Sequence, residues 1–413
     1  STKRFSLACD ALMSEANLST RVTVYGLRVR LNLFQNFTYF LADPINGDQV
    51  EQAAGRWVSG AKVVHRRLGR VFDRHTESSV GVSLRQDNVA SVGLYPTVAK
   101  RRVGVYRQDD VQQTTLGVFA QSEVEWTDFF RTTLGLRGDG YRYNVDAIRT
   151  LNDGQGTSGL VSPKLTAVFG PWSGSVIYVN YGRGYHSNDP RAATTRVDPV
   201  TGDPVDSASP LVPARGAEIG FRSGAVPRLQ STVALWYLSF DSELGFVGDA
   251  GIAEASRPSR RYGLEWTNYL NLTEWLTGEL DMSFSDARFS DIDPAGFYIP
   301  GALDRVISGG LTVSPSQRVF GSIRLRHFGA RPLIEDNSVA SDPTTILNGE
   351  VGVQLNERLN VVFEAFNLLN STVSDIDYFY TSRLPGEPLA GVDDIHFHPS
   401  LPRTARVMLN VSF

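Results

Sequence analysis

The sequence of 413 residues contains a single cysteine, Cys9, so no internal disulfide framework can hold it together. It lacks any run approaching the roughly 18 consecutive apolar residues of a transmembrane helix. It also lacks a basic excess: 40 Lys and Arg against 44 Asp and Glu give a net charge of −4, which excludes a general affinity for nucleic acid. The usual catalytic signatures are missing too. There is no GxSxG elbow, no phosphate-cradling Walker loop, no HExxH and no cysteine pair for zinc. "YGRGY" holds two glycines, but no helical period follows it, so it is no phosphate loop. The first twenty residues show no basic start before an apolar core and do not read as a secretory signal.

What the chain does have is turn formers and aromatics. Thirty-eight Gly and 20 Pro accompany 10% aromatic residues, a mixture that favours strands and turns over helices. Alternation dominates. In "RTARVMLNVSF", Ala405, Val407, Leu409, Val411 and Phe413 share one face, and Thr404, Arg406, Met408, Asn410 and Ser412 the other. "RVFGSIRLRHF" and "LNVVFEAFN" repeat the pattern. Period-two patterning of this length predicts strands with one dry and one wet face.

The connections decide between a soluble sandwich and a membrane barrel. From about residue 111 they alternate between short and long. Short ones fall at 126–128, 170–174, 223–228, 271–275, 314–317 and 355–358. Long ones fall near 146–158, 184–213, 241–259, 289–302, 329–344 and 368–402. Strands running up and down put every second connection at the same end, so one end carries tight turns and the other large loops. The expected fold is all-β: a large antiparallel up-and-down transmembrane β-barrel with short periplasmic turns and long extracellular loops. About seventeen strands are expected between residue 21 and the C-terminus, after an irregular segment over 1–20. Trp126, Phe129, Phe130, Trp172 and Trp275 near strand ends suit an interfacial girdle. Arg137, Arg222, Glu265, Glu279, Arg324, Arg326 and Glu364 inside strands would be costly against lipid and are expected to face a watery lumen. His327 falls at an outward position, which argues against a catalytic role for it.

With strands, turns and loops in place, the chain resembles the C-terminal part of a TonB-dependent outer-membrane receptor. The segments that carry the resemblance are "NFTYFLADPINGDQVEQ", "SPKLTAVFG…VIYVNYGRGYHSNDPR", "ALWYLSFDSELGFVGDAG", "RRYGLEWTNYLNLTEWL", "FEAFNLLN" and "PRTARVMLNVSF". The resemblance implies a barrel of about 22 strands with an N-terminal plug. Residues 21–413 lack a plug, so the chain is expected to be a fragment or a truncated product, engaging the TonB complex only through a plug it does not itself contain. The implied function is energised uptake across the Gram-negative outer membrane of a scarce solute such as a ferric siderophore or cobalamin. A plugless passive channel or surface-binding protein is the alternative, and a membrane-embedded hydrolase a third reading. No enzyme activity, cofactor or nucleic-acid partner is expected; the lipid bilayer and an extracellular small molecule or metal chelate are.

Candidate ligand contacts lie in the long loops. Arg183, Tyr185 and His186 open one, with charge and ring surface suited to an anionic or aromatic chelate. The competing structural reading places Tyr185 in the girdle and pairs Arg183 with an acid inside the lumen. The last loop supplies Tyr378, Tyr380, Arg383, Asp393, Asp394, His396 and His398. His396 and His398, two apart in an extended segment, point the same way. Metal binding needs at least three converging ligands, so no metal site is assigned, and bonding within the loop is the preferred reading.

Overall fold

The structure is a computed structural model that describes residues 1–242 and 257–412, together with the backbone of two short strands between them. Phe413, expected to end the last strand, lies outside the described residues, as do parts of "SELGFVGDAG" and of the loop expected over 241–259.

Among the described residues twenty-two strands follow one another. The first are β1 (Thr2–Glu15), β2 (Leu18–Gln35), β3 (Val50–Val71), β4 (Arg74–Val98) and the two-residue β5 (Arg101–Arg102). Next come β6 (Arg107–Thr127), β7 (Phe130–Ala147), β8 (Gly154–Trp172), β9 (Ser175–Ser187), β10 (Leu211–Ser223) and β11 (Leu229–Phe240). The hairpin β12 (Leu244–Val247) and β13 (Ile252–Ala255) stands in a loop. The wall resumes with β14 (Ser259–Asn271), β15 (Leu276–Phe289), β16 (Arg305–Ser316), β17 (Val319–Phe328), β18 (Thr344–Asn356) and β19 (Leu359–Phe366). A second loop hairpin, β20 (Ser374–Ser382) and β21 (Val392–Pro399), precedes β22 (Thr404–Val411). Among the described residues the helical ones are a 3₁₀ turn, Thr150–Asn152, and the short helix α1, Pro190–Thr194.

Eighteen of these strands form one sheet, and every pairing within it is antiparallel. Apart from β5, each long strand pairs with the long strands before and after it, which is the up-and-down order the connections imply. Residues 2–15, expected to be irregular, form β1 in full register with β2. The correction has a simple cause: "KRFSLACDALM" alternates too, but its polar positions are small and mixed, and the signal is weak over a single strand. The sheet is open. Among the described residues β1 and β22 have no partner on their outer edges, and both run from the long-loop end to the tight-turn end.

Register carries the apolar face around the wall. Val351 lies opposite Phe363, and Phe363 opposite Val407. Leu134 faces Leu165, which faces Tyr181. These side chains are largely exposed, as a lipid-facing band must be in an isolated chain. Near the tight turns Trp126, Phe129, Trp172 and Trp275 are exposed as well, and Phe130 stacks on Phe169 at 4.8 Å. The expected charged positions alternate with this band and occupy the inner face.

The inner face also explains much of the glycine. Tyr178 lies directly across from Gly220, and Phe320 across from Gly352, each ring occupying the space a Cβ would fill. The same cross-strand arrangement joins Tyr25 to Gly60 and Phe119 to Gly81. A ring laid over the bare backbone shields it and pins register.

Candidate functional site

Inside the wall many charges are matched, among them Arg137, Glu279, Arg324 and Glu364 of the seven expected there. Asp87, with its side chain only 2% exposed, takes Arg56 at 2.6 Å and Arg85 at 2.7 Å. Arg137 holds Asp139 and donates to Ser83 Oγ at 3.2 Å. Further round, Arg324 meets Glu279 at 3.1 Å and Arg406 meets Glu364 at 2.6 Å. These pairs bear out the polar inner face. A wall of satisfied charges keeps the interior wet and gives a polar solute no hydrophobic trap.

At the long-loop end the mouth is built from loops that lock to one another. Residues 36–49 owe their shape to two carboxylates. Asp48 accepts from the amides of Leu41, Ala42 and Asp43 and from Thr38 Oγ1 at 2.6 Å. Asp43 accepts from the amides of Ile45 and Asn46, and its bonds to Asn46 first, then Ile45, hold its carboxyl below the usual range. "ADPINGD" is therefore turn chemistry.

The loop over 188–210 is fastened by ions. Asp189 caps α1, accepting from the Arg191 amide at 2.9 Å, with Pro190 at the first helical position. Arg191 grips Asp189 at 2.9 Å and stands 4.0 Å from Asp109. Asp109 is itself paired with Arg107, both side chains almost wholly buried, and Arg107 reaches Thr195 Oγ1 at 3.2 Å. Burial pushes the Asp189 carboxyl up, but Arg191 and then Arg107 more than reverse it, leaving it below its ordinary value. Asn152 completes the fastening, accepting from the amides of Arg196 and Val197.

Four more loops meet at two arginines. Arg257 binds Asp291 at 2.9 Å, Glu335 at 2.8 Å and the Gly296 carbonyl at 2.8 Å, with its guanidinium over the Phe289 ring. Arg331 binds Asp377 of β20 at 2.7 Å. The strongly placed groups of the mouth are thus Arg107, Asp109, Asp189, Arg191, Arg257 and Arg331, none of which stands out in sequence. Only the Asp-Pro step at 189–190, a capping signal, marks its place.

Arg183, Tyr185 and His186 are not in a loop: β9 runs on to Ser187, because residues 175–187 pair without a break with β10. Arg183 stands opposite Arg215, and no carboxylate pairs with it among the described residues. The Tyr185 hydroxyl bonds Asp139, and the His186 ring lies 6.2 Å from that of Phe240.

The last loop is brought together more closely than a loop reading allows. In the β20–β21 hairpin, Tyr378 lies opposite His396, Ile376 opposite His398 and Tyr380 opposite Asp394, so these side chains share one face. His396 stacks on Tyr380 at 4.0 Å and meets Tyr39 of the first long loop at 6.0 Å. Tyr378 and His398 stay exposed, His398 beside Asp375 at 3.4 Å. Asp393 takes the Thr381 hydroxyl, and Asp394 accepts the Ile395 amide at 2.7 Å. Arg383 spends its guanidinium on carbonyls of Glu387, Pro388 and Phe40 at 3.1–3.2 Å and its backbone on Thr38 and Phe40. It ties the last loop to the first. Among the described residues no group of three His, Cys, Asp or Glu could hold a metal ion.

Comparison with known proteins agrees with this architecture. The family model described as TonB dependent receptor-like, beta-barrel matches residues 10–368. The ferric-catecholate import receptor Fiu of Escherichia coli, in its closed form, superposes with a TM-score of 0.76 at 15% identity, over 100% of this chain and 64% of that one. The ferric citrate transporter FecA in its unliganded form gives 0.74 at 12% identity, over 100% and 61%. The ferric yersiniabactin uptake receptor FyuA of Yersinia pestis gives 0.75 at 12%, again over 100% and 61%. The chain therefore spans a little over three fifths of the length of these structures. No curated protein matches by sequence.

Proposed function

The chain belongs to the TonB-dependent receptor-like β-barrel family, and from that premise we propose that it forms part of the wall and mouth of an outer-membrane receptor importing a metal chelate, with a ferric siderophore as the expected cargo. The family consists of transporters and receptors rather than enzymes, and it resides in the Gram-negative outer membrane. The observation that carries the reading is the combination of a wet, charge-matched inner face with interlocked loops gathered at one end. TonB-driven energy would reach this barrel through a plug in the receptor, which these strands would surround.

Both free edges must pair before the sheet can sit in lipid. Because β1 and β22 run the same way, an all-antiparallel closure takes an odd number of further strands between them. In the uptake path, Tyr378 and His398 are the exposed members of the hairpin face and meet the chelate. Tyr380 and His396 hold that face against Tyr39, whereas Arg183, in register with the outward Tyr181 and Val179 on β9, lies off the path. The test is growth of a deletion strain under iron limitation on a panel of ferric chelates and, separately, on cobalamin. Restoration by the intact gene on one ferric chelate, with at least a ten-fold loss of affinity for it on Tyr378→Ala with His398→Ala, supports the reading. Equal growth of the deletion strain on every source would overturn it.

A further inference from the structure

Resting on the receptor role proposed above, we infer that the cargo is a chelate carrying an organic ammonium, received at the mouth by the Asp394 carboxylate beside the Tyr378 ring. Charge along the chain is sharply divided. The connections at the long-loop end, 36–49, 99–106, 148–153, 188–210, 241–258, 290–304, 329–343 and 367–403, hold 22 Asp and Glu against 10 Lys and Arg. They carry a net charge of −12, while the rest of the chain, with 30 Lys and Arg against 22 Asp and Glu, carries +8. Only the connection over 99–106 is basic, and its Arg102 is held by Glu51 at 2.7 Å.

The loop cations are largely spent within the loops. Arg191, Arg257 and Arg331 bind carboxylates, and Arg383 binds carbonyls. The charge left facing solvent is therefore mostly negative. Asp203, Asp206, Asp304, Asp342, Asp393 and Asp394 are exposed, and none has an ion-pair partner among the described residues. An entrance dominated by one sign of charge focuses the field and draws in solutes of the opposite sign. The field alone names no site; the β20–β21 hairpin supplies one. Asp394 lies directly across from Tyr380, and Tyr378 is two residues along on the same face. His396 covers the Tyr380 ring at 4.0 Å, which leaves Tyr378, 48% exposed, as the open ring of that face. Diagonal neighbours across a strand pair stand about 7–8 Å apart, within reach of an aromatic side chain. An exposed carboxylate next to an exposed ring receives an organic ammonium by ion pairing on one side and cation–π attraction on the other. The same mouth rejects polyanions. Three hydroxamates, each a monoanion, cancel the charge of Fe³⁺, whereas three dianionic catecholates leave a trianion. A hydroxamate-type centre with a pendant ammonium is the form that suits this entrance.

The test is equilibrium binding to the folded receptor in detergent, using one ferric trishydroxamate in three forms: with its free ammonium, N-acetylated and N-succinylated. A ferric triscatecholate is the fourth probe. The expected order is ammonium over acetyl over succinyl, spanning about ten-fold or more and less at high salt, with the triscatecholate weakest. Asp394→Asn should weaken the ammonium form about five-fold and leave the acetylated form unchanged. Tyr378→Leu should act in the same direction and Tyr378→Phe should not, since the phenyl ring keeps the cation–π face. A merely structural role in the hairpin would weaken both forms alike. Asp73→Asn, in the tight turn between β3 and β4, should change none of the four. Equal binding of the three hydroxamate forms, or tighter binding of the triscatecholate, would overturn the inference and leave the receptor role standing. A folded receptor that binds none of the four overturns it as well, and the growth panel then decides whether the receptor role falls with it.

Discussion

The buried pair Arg107–Asp109 offers the sharpest test of how the mouth is held. The two side chains are 3% and 2% exposed, and Arg191 is the nearest other cation, 4.0 Å from Asp109. Arg107→Met keeps the length of the side chain and removes its charge, leaving Asp109 buried with only that distant partner. Breaking a buried pair from one side costs about 3–5 kcal/mol. Arg191 carries part of the load, so the lower end, about 3 kcal/mol, applies. At 1.4 kcal/mol per decade this is about a hundred-fold. The cost should appear as local opening of the loop fastened by this pair, through Thr195. Hydrogen exchange by mass spectrometry should show amides of residues 190–197 exchanging about 100-fold faster, with the central strands unchanged. Adding Asp109→Leu removes the stranded charge and should return most of the protection, because two apolar groups of similar volume replace a desolvated pair. If the double variant exchanges as fast as the single, the ion pair is not what fastens the loop. Unchanged exchange in the single variant would refute the reasoning at its first step.

Other outcomes follow from the same geometry. Asp189 has a folded-state pKa below its unfolded value, so its contribution is present above about pH 4 and is lost as pH falls through the depressed value. Exchange over residues 190–197, corrected for intrinsic rate, should therefore be flat from pH 7 to 5 and rise below about 4. Arg383→Ala should open residues 384–391 to proteolysis, and Arg383→Lys should not restore protection, since an ammonium cannot reach the Glu387, Pro388 and Phe40 carbonyls from one planar fork. Gly352→Val should drive Phe320 off the inner face at about 1–3 kcal/mol, lowering the fraction that resists heat in gel migration. Phe320→Ala in the same chain should recover it, because the added side chain then has room.

How much of this was legible depends on how far each signal reaches along the chain. Alternation is local and repeated, so Val407 and Leu409 announce their face without knowledge of Phe363 and Val361 across from them. The short and long connections likewise fix the up-and-down order, and the alternation seen from about residue 111 extends back to the turn between β1 and β2. Parity even placed His396 and His398 on one face, although the hairpin that adds Tyr378 and Tyr380 to that face read as loop. What stayed hidden depends on contacts between loops. Arg383 finds Phe40 at a separation of 343 residues, Arg331 finds Asp377, and Arg107 meets Thr195. No periodicity encodes which loops will meet over the mouth, because that follows from the order and curvature of the whole sheet. It also explains why Arg183 read as loop: its strand continues only because β10, nearly thirty residues on, supplies the partner for it. Strand faces are written residue by residue, whereas the mouth is written by closure. A candidate site in such a wall therefore gains most from the contacts that lock one loop to another, and Tyr378 and His398 are the better candidates for staying outside those locks.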